Sequence, residues 1–155
     1  GVQIYLQSQG YVVFQAADGI EGLEILEKEE IHLAIIDIMM PRMDGIELIR
    51  HIKENVNTCD IPLIILSAKS SVEDRIQGLQ LGIDDYIPKP FSSDYLKSRI
   101  ENLIRQRKVL QSAFLSKYGA QPKKEPSNKE QHDQRQGRPI IPHTIINIFL
   151  DSSAK

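Results

Sequence analysis

The chain has 155 residues, 41% hydrophobic and 26% charged, enough for one compact domain of ordinary composition with a tail. The net charge of -2 at pH 7 and pI near 6.1 come from interspersed acids and bases, which excludes a basic face for direct nucleic-acid contact or for a membrane surface. Cys59, the one cysteine, excludes an internal disulfide and suits a reducing, cytoplasmic setting, while the most apolar stretch (33–40) is interrupted by Asp37 and falls far short of the roughly 20 residues that span a bilayer.

In chain order, Val2, Tyr5 and Leu6 stand at helical spacing and Gly10 stops the run, so the chain opens in a helix. A strand is predicted over 11–16, followed by a helix over 19–30 with Ile20, Leu23 and Leu26 inward. Residues 32–37 and 62–67 are nearly continuous apolar runs, the mark of strands covered on both faces. Between them a helix over 45–54 turns Leu48, Ile49 and Ile52 inward. A further helix over 72–81, with Ile76 and Leu79 inward, is capped by Ser70, Ser71 and Glu73 and ended by Gly82. A short strand over 85–88 comes next.

A last helix starts at Ser92 or Ser93 and runs to about residue 117, carrying Leu96, Ile100, Leu103, Leu110 and Phe114 as an apolar seam with Arg107 in one slot. Its far end is either half of a short coiled coil with a partner or a frayed polar extension. Residues 118–139 are polar, proline-containing and without apolar period, a disordered linker. In the tail, 140–155, residues 144–150 (TIINIFL) have the pattern of one buried strand followed by Asp151. Strands alternating with amphipathic helices over 1–117 define an α/β domain with a parallel sheet.

Asp37 closes an apolar run and is followed by Met39, Met40 and Pro41, which puts a carboxylate at the C-terminal edge of a central strand, where open α/β sheets place their sites. A buried acid there needs a cation. Two further strands end in Ser67 and in Tyr86-Ile87-Pro88-Lys89, so a hydroxyl and an ammonium reach the same rim if these strands are parallel neighbours. Taken singly, each has a blander role: aspartate as turn former, serine as helix cap, lysine as solvated loop residue.

Together, IDIMMPRMDGIEL around Asp37, IILSAKS around Ser67 and GIDDYIPKPF around Lys89 resemble the receiver domains of response regulators over roughly residues 1–115. The resemblance implies a doubly wound, flavodoxin-like sheet of order 2-1-3-4-5 and Mg²⁺-dependent transfer of a phosphoryl group from a histidine kinase or phosphotransfer domain to Asp37. It implies further that Lys89 pairs with Asp37 and then with the phosphoryl group, that Ser67 donates to it, and that the Lys89-Pro90 bond is cis. Tyr86 matches the switch aromatic, or else is plain packing; the family's fourth helix and fifth strand, here 72–81 and 85–88, carry the signal to an output domain or partner protein. Asp84 and Asp85 match loop acids of structural role, and Met39, Met40 and Met43 pack beside the site.

By the family's spacing its first strand, with an acidic pair that holds most of the Mg²⁺ shell, falls before Gly1, leaving Asp37 and the Met39 carbonyl as candidate metal ligands. Three arrangements follow for the central slot of the sheet: a truncated fragment, strand exchange with another chain, or insertion of residues 144–150 in parallel, with Asp151 delivered beside Asp37. A dimer through the last helix is a further expectation. Two rival functions are a pseudo-receiver or inactive fragment that is not phosphorylated, and a phosphatase with an aspartate nucleophile. The latter wants a second acid two residues on, where Met39 stands.

Overall fold

A computed structural model describes residues 1–38, 43–68, 80–119 and 142–150. Helices α1 (Val2–Ser8), α2 (Gly19–Lys28), α3 (Met43–Glu54) and α4 (Ser93–Tyr118) alternate with strands β1 (Val12–Ala16), β2 (Leu33–Ile38), β3 (Leu63–Ser67) and β4 (Asp85–Pro88), and β5 (Thr144–Leu150) ends the series. The predicted helix over 72–81 and its serine cap lie outside the described residues but for the last two positions. Gly10 and Gly82, at φ 95° and 98°, adopt the left-handed conformation expected of helix-ending glycines.

The sheet is parallel throughout, in the order β1-β5-β2-β3-β4. The last strand in the chain thus lies between β1 and β2, in the slot that the order 2-1-3-4-5 gives to a first strand. β5 pairs along its length on both sides, from Val12↔Thr144 to Ala16↔Ile148 and from Leu33↔Ile145 to Ile38↔Leu150. Its start is anchored by the backbone N–H of Thr144, which donates to His32 Nδ1 at 2.8 Å, and by that of Val12, which donates to the His143 carbonyl at 3.0 Å. Because every residue of β5 but Thr144 and Phe149 is buried, the strand belongs to the core.

Side chains alternate between two apolar layers. Ala34, Ile36, Ile146, Ile148 and Leu150 face α2 and α3, while Leu33, Ile35 and Ile145 face α1 and α4. Leu48, Ile49 and Ile52 are buried as predicted. The predicted stripe of α2 needs correction, because Ile20 is 74% exposed and the buried positions are Gly22 and Leu26. The helix approaches β5 so closely that a Cβ on Gly22 would lie 2.6 Å from Ile148 Cδ1, and this puts Ile20, two residues earlier, on the opposite side. α2 also stops at Lys28 rather than residue 30, since Glu29 is already extended.

In α4, Ser92 caps the first turn by accepting from the Tyr95 N–H at 3.0 Å, and Leu96, Ile100, Leu103 and Ile104 are buried. Leu110 and Phe114, predicted in the same seam, are exposed because the helix has run past the edge of the sheet. No helix among the described residues is long and apolar enough to cross a membrane.

Candidate functional site

The run that makes β2 a central strand carries Asp37 to the C-terminal edge of the sheet, where it is 8% exposed. Lys89, just beyond β4, places Nζ 2.5 Å from Asp37 Oδ1, so the buried acid has its cation. The lysine backbone is fixed by its N–H, which donates to the Ser67 carbonyl at 2.8 Å, and the Lys89-Pro90 bond is cis. Ser67 ends β3 opposite both Ile38 and Pro88 and is buried. Three residues 30 and 52 positions apart in sequence therefore meet at one rim.

Tyr86 lies half-buried on β4 opposite Ile65, against the layer that faces α2 and α3. By strand alternation Ser67 faces the same side as Ile65, so Tyr86 and Ser67 share one face on adjacent strands. The two loop acids are held by structural contacts: Asp84 Oδ2 accepts from the Leu63 N–H at 2.8 Å, and Asp85 is paired with Arg99 of α4.

Met39, Met40 and Asp151 lie outside the described residues, as does the side chain of Met43. Among the described residues no group of three metal-ligating side chains occurs, so Asp37 has no described cluster of carboxylates around it. A single carboxylate does not make a Mg²⁺ site, which needs an octahedron of oxygens and charge balance; the described donors fall short of one.

A polar feature beside Asp37 escaped the sequence reading. Gln3, Gln15, Asn147 and Phe149 line, with Asp37, a cavity of about 300 Å³. Gln15 and Asn147 are directly opposite across β1 and β5, where Asn147 Nδ2 donates to Gln15 Oε1 at 3.1 Å and Gln15 Nε2 donates to Gln3 Oε1 at 2.6 Å. Asn147 is 5% exposed and its Oδ1 makes no hydrogen bond. The signal available was a lone amide within TIINIFL, meaningless until its neighbours are known.

A five-stranded parallel sheet with a buried, lysine-paired aspartate at its C-terminal edge defines a receiver-type α/β module. Residues 1–101 match the response regulator receiver domain family. The chain is 41% identical over 103 residues to the response regulator MprA of Mycobacterium leprae, covering 66% of this chain and 44% of that one. It is 45% identical over 97 residues to the probable transcriptional regulator ycf27 of Porphyridium aerugineum, covering 63% and 39%. Among solved structures, the CheY-like receiver domain of Methanospirillum hungatei superposes with a TM-score of 0.62 at 29% identity, over 70% of this chain and 86% of that one. The receiver domain of sensor histidine kinase PA1611 from Pseudomonas aeruginosa, solved with a magnesium ion in its active site cleft, gives 0.60 at 32%, over 67% and 85%. The chain belongs to the response regulator receiver domain family, whose members serve two-component signalling. It spans less than half the length of the curated relatives it matches.

Proposed function

We propose that the chain is the phosphoacceptor module of a two-component phosphorelay, taking a phosphoryl group on Asp37 from a histidine kinase or phosphotransfer domain. The observation that carries this is the Asp37–Lys89 contact at 2.5 Å, with Ser67 ending the next strand at the same rim. Phosphoryl transfer asks for positioning and charge neutralisation more than for covalent chemistry by the protein. An Asp37 oxygen attacks phosphorus, the O–P bond forms, and the P–N bond to the donor histidine breaks, its electron pair leaving with the imidazole. Lys89 follows the charge from carboxylate to phosphoryl oxygen, and the Ser67 hydroxyl donates to another. The reading makes the chain a phosphoacceptor, not an enzyme with a separate substrate.

We assign Mg²⁺ to Asp37, the Met39 carbonyl and Asp151, where the ion would neutralise phosphoryl charge. Support for Asp151 comes from the register, which runs to Ile38↔Leu150, so that Asp151 is the next residue in sequence. We assign to Tyr86, which shares a face with Ser67, the coupling of the site to an output domain or partner protein, through the family's output face, which corresponds in sequence to 72–81 and 85–88. The setting we assign is cytoplasmic.

A second reading, a pseudo-receiver that signals by binding alone, is favoured by the lack, among the described residues, of a cluster of metal-ligating side chains around Asp37. The two separate on incubating the full chain with acetyl phosphate and Mg²⁺ and reading intact mass. The phosphoacceptor gains one phosphoryl group, Asp37→Asn gains none, and Asp151→Asn needs more Mg²⁺ for the same labelling. A folded wild type that gains nothing is a pseudo-receiver.

A further inference from the structure

We infer that the amide-lined cavity beside Asp37 is a binding site for a monovalent cation of potassium size, with Asn147 Oδ1 as its deepest ligand. Asn147 sits in the middle of the central strand and is 5% exposed. Its Nδ2 donates to Gln15 Oε1 at 3.1 Å, while its Oδ1, shielded from solvent, takes no hydrogen bond from the described residues. β5 lies between β1 and β2, and the nitrogen and oxygen of a planar amide diverge from one carbon. With Nδ2 turned to Gln15 of β1, Oδ1 is turned to the side of β2, where Asp37 shares its face of the sheet and its cavity. A buried acceptor without a donor is costly, and such costs concentrate where a ligand completes the set.

The donor set selects the ligand. Asn147 Oδ1 and the Asp37 carboxylate are joined in the cavity wall by Gln15 Oε1 and Gln3 Oε1, each of which accepts one hydrogen bond and keeps a second lone pair. Oxygens of this kind repel an anion. A divalent ion is disfavoured by charge, because Lys89 already pairs with the Asp37 carboxylate at 2.5 Å and the amides are neutral. Mg²⁺ also gives up its water reluctantly. Neutral carbonyl oxygens are instead the ligands that replace the hydration shell of potassium. The cavity, about 300 Å³, holds such an ion together with several waters, each taking about 30 Å³. The first residues of α1 close the cavity, and a helix of seven residues has little dipole to oppose a cation.

This position is distinct from the one assigned to Mg²⁺ at the rim. Asn147 lies two residues before Phe149, the residue that pairs with Asp37, so the ion sits deeper along β5 and takes no ligand from Met39 or Asp151. The ion binds the unphosphorylated chain, and the site therefore stands or falls independently of the phosphoacceptor reading.

The test is thermal unfolding of the full chain in EDTA, with KCl replacing tetramethylammonium chloride up to about 300 mM at constant ionic strength, so that screening does not change. The expected result is a saturable rise of the wild-type midpoint, by about 3–6 °C at about ten times the half-saturating concentration. Asn147→Leu should show no such rise. More stable than the wild type in tetramethylammonium, it should lose that advantage as potassium is added. Asn147→Asp, which keeps an oxygen in place, should keep the response. Crystals soaked in thallium(I), a potassium-sized ion with a strong anomalous signal, should show it in contact with Asn147 Oδ1. A wild type without a potassium-specific rise overturns the inference. So does an equal rise in Asn147→Leu, which would put the ion elsewhere, or the loss of the response in a folded Asn147→Asp.

Discussion

The position of β5 between β1 and β2 makes an energetic prediction that no other arrangement of the chain shares. A Cβ added at Gly22 of α2 would come to 2.6 Å from Ile148 Cδ1 and 2.9 Å from Ile148 Cγ1, in a site where Ile148 is completely buried. Gly22→Ala therefore carries an overpacking cost of about 1–3 kcal/mol. Against this stands a gain of about 1 kcal/mol from replacing a mid-helix glycine by alanine, so the net change is a destabilisation of about 0–2 kcal/mol. Ile148→Val, which deletes Cδ1, costs about 0.5–1.5 kcal/mol alone. In the double variant the closest clash is gone, so it should be less destabilised than the sum of the singles by about 1 kcal/mol. Urea unfolding of the four proteins measures this coupling, with Val56→Ala, at a position 84% exposed, as a control expected near zero. Additivity within about 0.3–0.5 kcal/mol would mean that residues 22 and 148 do not touch, and the placement of β5 would fail with it.

Further consequences follow at the rim and along β5. Lys89→Met should slow acetyl phosphate labelling by about 10²-fold. It should also destabilise by about 2 kcal/mol, less than a fully buried pair because 26% of the Lys89 side chain is exposed; Asp37→Asn added to it should restore the stability. Asn147→Leu removes a buried carbonyl oxygen that has no hydrogen bond, a gain of about 1–3 kcal/mol, and also the hydrogen bond to Gln15, a loss of about 0.5–1.5 kcal/mol, so thermal unfolding should show a net rise of about 1 kcal/mol; a clear loss would show that oxygen to be satisfied. His32 and His143, in edge-to-face contact at 5.1 Å at the start of β5, both have pKa values lowered from 6.5 chiefly by burial, and Arg107 and Lys108 push His32 further down against Glu30. The unfolded state then takes up protons first, so the contribution of these residues is complete above 6.5 and is lost as pH falls through their lowered folded values. The melting midpoint should fall over that window, and less so in a His32→Asn, His143→Asn double variant.

Much of the fold is legible in local pattern. The runs that became β2 and β3 are apolar on both faces because helices cover both, and their predicted ends lie within one residue of the observed ones. The meeting of Asp37 with Lys89 and Ser67 followed from strand ends once a parallel order was granted. The facing of α2 was not legible, because how near a helix packs to a sheet depends on Gly22 meeting Ile148, residues far apart in sequence. The division of the α4 seam between its own sheet and solvent depends on where the sheet ends, which periodicity does not record. In TIINIFL the composition of a buried strand was visible, but the choice among an empty slot, an exchanged strand and an inserted one rests on long-range pairing. Asn147 acquires its meaning only opposite Gln15, 132 residues away.

The account rests on β5 being the central strand beside Asp37, and native-state amide hydrogen exchange tests that most directly. In the sheet, residues 145–148 pair on both sides and their amides should exchange only through global unfolding, at the rates of Ile35 and Ile64 in the neighbouring core strands. Exchange of 145–148 as fast as that of the exposed end of α4 would show that the strand does not occupy the slot, and the Asp37 site would then lack the wall that Asn147 and Phe149 provide.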